Sequence, residues 1–137
     1  MGGAGTLAKM TGGEAAVETL LAHGIHTIFG LPGIQNDWLY NALYDAGDKI
    51  RVVHTRHEQG AAYMALGYAQ ASGDISVFNI VPGPGLLNAT GALATAFGLN
   101  APVFFLTGQI PTNKIGKASG VLHEIPHQPE VLRGLTK

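Results

Sequence analysis

"ISVFNIVPGPGLLNATGALATAFGLNAPVFFLTG", residues 75–108, decides the fold. "ISVFNIV" is an uninterrupted, β-branched run of strand length, and "PVFFLTG" at the far end is another. Between them "PGPG" reads as a turn and "LLNATGALATAFG" as a helix. Two strands this apolar on both faces, joined through a helix, belong in a parallel sheet covered on both sides.

The same grammar extends upstream. Thr11 followed by Glu14 is a capping box, and Val17, Leu20 and Leu21 continue at helical spacing until Gly24 stops them. "HTIFGLPG" (26–33) is a short apolar strand that runs into glycine and proline. Asn36 is a candidate cap for "DWLYNALYDAG", which puts Trp38, Leu39, Ala42 and Leu43 on one face. "IRVVHT" (50–55) is a further strand, and a third long helix begins near His57 and runs to about Ser72. The last segment, "KIGKASGVLHEIPHQPEVLRGLTK", reads as a loop and a short amphipathic end carrying Val131 and Leu132. The expected fold is α/β, a doubly wound parallel sheet with helices on both faces, in one domain over residues 10–137. Residues 1–9 are expected to be disordered. The loops after the strands collect the unusual glycines and prolines, and in this architecture ligands bind at that edge.

Composition narrows the function classes. Of 137 residues, 46% are hydrophobic and 12% charged, with a net charge of −1 and no cysteine. The charged share is about half the usual one, so part of the surface is expected to face other protein. No basic block suits nucleic acid or anionic lipid, and no window approaches the roughly 18 apolar residues of a membrane span. Thiolate metal sites, disulfides and cysteine nucleophiles are excluded. A cytoplasmic location is the plain expectation.

Several signatures fail on their own chemistry. "HEIPH", His123 to His127, has the zinc-protease pattern, but Pro126 would cost a helix interior about 3 kcal/mol. No metal ligand set is therefore assigned to this chain. "GPGLLN" lacks the third glycine of a dinucleotide loop, where Asn88 stands, and Gly116-Lys117 is followed by Ala118 rather than Ser or Thr. Glu58 is different. It begins a helix in which Ala61, Ala65 and Ala69 lie four apart with Gly60 and Gly67 beside them, a face that another backbone can approach closely. A helix-capping role and a reactive role both fit. The second follows if the carboxyl group sits at a packed junction, loses water and shares a proton.

"GLPG", "RHEQGAAYMALGYA", "PGPGLLNATGALATAF" and "APVFFLTGQIP", in this order and spacing, resemble the pyrimidine-binding domain of thiamine diphosphate enzymes. The likeness covers about residues 10 to 137 and is strongest to acetolactate synthase and its relatives among 2-oxo-acid carboligases and decarboxylases. It implies that Glu58 bonds the N1′ nitrogen of the aminopyrimidine, favouring the imino form that deprotonates C2 of the thiazolium. It also implies cofactor contacts from Gly30, Pro32 and Gly33, from Pro82, Gly83, Pro84 and Gly85, and from Asn88. Gln109 matches a polar residue near the reacting centre, and Ile34 and Val81 take positions where benzoylformate decarboxylase has serine and histidine.

The Gly-Asp-Gly…Asn motif that binds diphosphate and Mg2+ in such enzymes is absent here: Gly47-Asp48 precedes Lys49, and Gly73-Asp74 precedes Ile75. The resemblance thus implies a partner, the diphosphate-binding domain of a neighbouring subunit in a homodimer or homotetramer, and a small 2-oxo-acid substrate. Whether FAD is also bound is left open. Two other readings are a separate α subunit of a split 2-oxo-acid decarboxylase and a noncatalytic dimerisation or regulatory module. On the leading reading this chain is a piece of a larger multidomain enzyme and is inactive alone.

Overall fold

The computed structural model describes residues 9–137, so the expected disordered segment 1–9 lies outside the described residues except for Lys9. The chain runs α1 (Gly12–Ala22), β1 (Thr27–Gly30), α2 (Asp37–Asp45), β2 (Arg51–His54), α3 (Glu58–Ser72), β3 (Ser76–Ile80), α4 (Pro84–Gly98), β4 (Val103–Thr107) and α5 (Gln128–Leu132). The four strands form one parallel sheet in the order β2-β1-β3-β4. Helices cover both faces, as the apolar runs require.

Register explains how two short strands feed two cores. Ile28 pairs with Val77 and Phe29 with Phe78, so successive residues on neighbouring strands point together to opposite faces. Ile28 and Val77 meet Val17 and Leu20 of α1 and Ala42 and Leu43 of α2. Phe29 and Phe78 meet Ala61 and Ala65 of α3 and Ala89 and Ala92 of α4. All five residues of β3 are buried, which accounts for its lack of polar alternation.

The caps follow local sequence. Thr11 and Glu14 close the capping box at α1, and Gly73, at φ 78, ends α3 in the left-handed conformation that glycine adopts freely. Three details differ from expectation. α4 begins at Pro84, inside "PGPG", because a proline at the first helical position gives up an N–H that had no partner there anyway. Trp38 is 70% exposed, and only Ala42 and Leu43 of its face are buried. Asn36 flanks α2 but makes no capping bond; its amide is used elsewhere. The alanine stripe of α3 is buried within this chain, in the core that α3 and α4 form over the sheet. Around "HEIPH" the backbone is not helical, with His123 and His127 at φ 70 and 53.

Candidate active site

Four loops leave the carboxyl edge of the sheet. The β2 loop ends at His57, whose extended backbone (φ −153, ψ 143) turns the chain into α3 and whose Nδ1 accepts the N–H of Gln59 at 3.2 Å. Thr55 Oγ1 donates to His57 O at 2.9 Å, which tightens the approach. Glu58 is therefore the first helical residue and half-buried. With His57 already serving as the cap, the glutamate carboxylate is left available for other contacts.

That carboxylate points across to α4. Asn88 Nδ2 donates to Glu58 Oε2 at 3.0 Å, while Oε1 accepts no hydrogen bond among the described residues. Oε1 faces Gly85: a Cβ placed there would lie 3.4 Å from it and 2.6 Å from Val81 Cγ2. Gly85 is thus the position that lets the first turns of two helices close on each other. Val81, buried, lies below, and its Cγ1 occupies the space a side chain at Gly33 would need. Glu58, Gly85, Asn88, Val81 and Gly33 form one continuous cluster.

The remaining candidates divide. Gly83 sits at φ 62 and ψ −121, where a side chain would be strained and would also strike the carbonyl of His123. Pro82 is fully buried, and its carbonyl accepts from His123 Nδ1 at 2.9 Å. Pro84 is the exposed start of α4. Pro32 and Ile34 are exposed on the β1 loop, Ile34 strongly so. Gly30 has an internal reason to be glycine, since a Cβ would meet the Tyr40 hydroxyl and Asn79 O. Gln109 is exposed on the loop after β4, with its Oε1 turned back to accept the N–H of Ile110 at 2.8 Å; no hydrogen bond joins it to Glu58.

Three buried polar residues tie these loops together: Asn36, expected only as a helix cap, and Asn79 and Gln128, which were assigned no role in advance. Asn36 Nδ2 donates to Asn79 Oδ1 at 3.1 Å, and Asn79 Nδ2 donates to Leu106 O at 3.1 Å. Gln128 reaches both Gly83 and Gly108. The only advance signal was Asn79, a polar residue inside a strand expected to be buried on both faces. Beside them Tyr40 stacks on His54 at a 6.3 Å centroid distance, and burial pushes its phenol up to about 12.

Residues 10–131 match the family described as thiamine pyrophosphate enzyme, N-terminal TPP binding domain. The chain is 38% identical over 127 residues to a probable 2-ketoarginine decarboxylase of Pseudomonas aeruginosa, covering 93% of this chain and 22% of that protein. It is 46% identical over 107 residues to a probable acetolactate synthase large subunit of Methanocaldococcus jannaschii, covering 78% and 18%. To the mitochondrial acetolactate synthase catalytic subunit of Saccharomyces cerevisiae it is 40% identical over 107 residues, covering 78% and 15%. The chain spans about a fifth of the length of these relatives. It belongs to the thiamine pyrophosphate enzyme family, as an N-terminal TPP-binding domain of the acetolactate synthase-like type.

Proposed function

We propose that, as the N-terminal domain of a thiamine pyrophosphate enzyme, this chain presents Glu58 to the aminopyrimidine ring of thiamine diphosphate. The enzyme would decarboxylate a 2-oxo acid and transfer or release the acyl fragment. The observation that carries this reading is Oε1 of Glu58, unpartnered among the described residues and held over Gly85 while Asn88 occupies Oε2. The donor set suits the group: a half-buried carboxylate with one free oxygen can share a proton with a ring nitrogen. The missing side chain at Gly85 lets the first turn of α4 pack against Glu58 and Val81, which holds the carboxylate in place.

Bound cofactor supplies an acidic ring carbon and an electron sink for decarboxylation, and protein supplies orientation and electrostatics. Within this chain Glu58 accepts or returns the proton at the ring nitrogen. Asn88 fixes the plane of the carboxylate by its hydrogen bond. Gly30, Pro32 and Gly33 on one loop, and Pro82, Gly83, Pro84 and Gly85 on the other, would frame the ring. Ile34, Val81 and Gln109 would lie toward the substrate.

Diphosphate and Mg2+ would be held by a diphosphate-binding domain outside these residues, contributed by a neighbouring subunit of a homodimer or homotetramer. Residues 10–137 would then be the pyrimidine domain of a longer, multidomain chain. The test is Glu58→Gln in the full-length protein. Deuterium exchange at C2 of bound cofactor, followed by NMR, should slow by at least about 100-fold, the usual worth of a positioned acid–base group. Exchange at the wild-type rate, with cofactor bound, would sink the role given to Glu58.

A further inference from the structure

Gln128 opens α5 and is 6% exposed. One side-chain amide holds two loops: Oε1 accepts the N–H of Gly83 at 3.0 Å, and Nε2 donates to Gly108 O at 3.1 Å. Gly83 precedes the first turn of α4, so its N–H is buried at a position where no helical carbonyl can take it. Without Gln128 that donor would be left unpaired. The same segment grips the turn again, because His123 Nδ1 donates to Pro82 O and the His123 carbonyl fills the space over Gly83. Residues 123–128 therefore clasp the turn, while Glu58 of α3 meets its helix through Asn88 and Gly85.

We infer that Gln128 is a positioning residue for the Glu58 site. By fixing the first turn of α4 it sets the spacing between Gly85 and the free oxygen of Glu58, and through Gly108 it ties that spacing to the loop carrying Gln109. The inference rests on the reading of Glu58 given above and extends the site to a residue that touches none of its reacting atoms. A residue that merely stabilised the fold would loosen the whole domain when removed; a positioning residue loosens one edge of it.

The test uses the full-length protein with Gln128→Leu, which removes both bonds, and Gln128→Glu, which keeps the acceptor for Gly83. Amide hydrogen exchange without cofactor is read by mass spectrometry over residues 82–90, 106–110 and 12–22. Binding of thiamine diphosphate with Mg2+ is then measured by calorimetry. The leucine variant should exchange faster over 82–90 and 106–110 but not over 12–22. It should bind cofactor about tenfold more weakly, because binding must then order a turn that the wild type holds ready. The glutamate variant should loosen 106–110 alone and keep more of the affinity. Wild-type affinity in the leucine variant, or equal loosening over all three segments, overturns the inference. A wild-type protein that fails to bind thiamine diphosphate instead overturns the reading of Glu58. The clasp is then judged by exchange alone: local loosening supports it and unchanged exchange over 82–90 rejects it.

Discussion

Tyr40 shows how a residue beside the site answers to pH. Burial raises its phenol from 10.0 to about 12, so the folded chain holds that proton where the unfolded chain has lost it. The stability it contributes is fully present below pH 10.0 and is lost as pH rises toward 12. Urea midpoints of the wild type are expected to fall across that window more steeply than those of Tyr40→Phe. Parallel declines would remove Tyr40 as the cause. At this scale the sequence was informative where chemistry is local. Glu58 stood out because it is a lone carboxylate opening a helix of small residues. Asn36 suggested only a helix cap and Gln128 nothing at all, because their partners lie 43 and 45 positions away and nothing in their immediate neighbours announces them.

Between elements, small residues decide how closely α3 and α4 approach. Ala61 and Ala65 are fully buried in the core those helices share over the sheet, and Ala89 and Ala92 answer from α4. Ala65→Leu should lower stability by about 1–3 kcal/mol through overpacking, read as a drop in the denaturation midpoint. An unchanged midpoint would mean the helices have room to part. The strands and long helices could be read in advance because each carries its own period and its own stop signals. The start of α4 could not, since Pro-Gly-Pro-Gly satisfies a turn and a helix entry equally, and only the clasped Gly83 selects between them. Trp38 misled for a related reason: helical spacing places it on a face without saying how far that face extends into the core.

Across the whole molecule, the described residues gather Glu58, Asn88 and the close-packed Gly33, Gly83 and Gly85, but no group of three or more carboxylates and histidines able to hold a metal ion. Produced by itself, the 137-residue segment is expected to show no saturable binding of thiamine diphosphate with Mg2+ in calorimetric titration. Saturable binding would place the diphosphate site within these residues. The sheet order β2-β1-β3-β4 has another consequence, for the chain during its own synthesis. β1 can pair with β2 as soon as both emerge from the ribosome, yet its second edge waits for β3, nearly fifty residues after Ile28. Until Ile80 has cleared the exit tunnel, Ile28 and Phe29 have only half their cover, and one row of β1 peptide groups is open to strands from other nascent chains. A ribosome that pauses after β2 has emerged but before β3 has cleared the tunnel would hold the protein at its most adhesive stage.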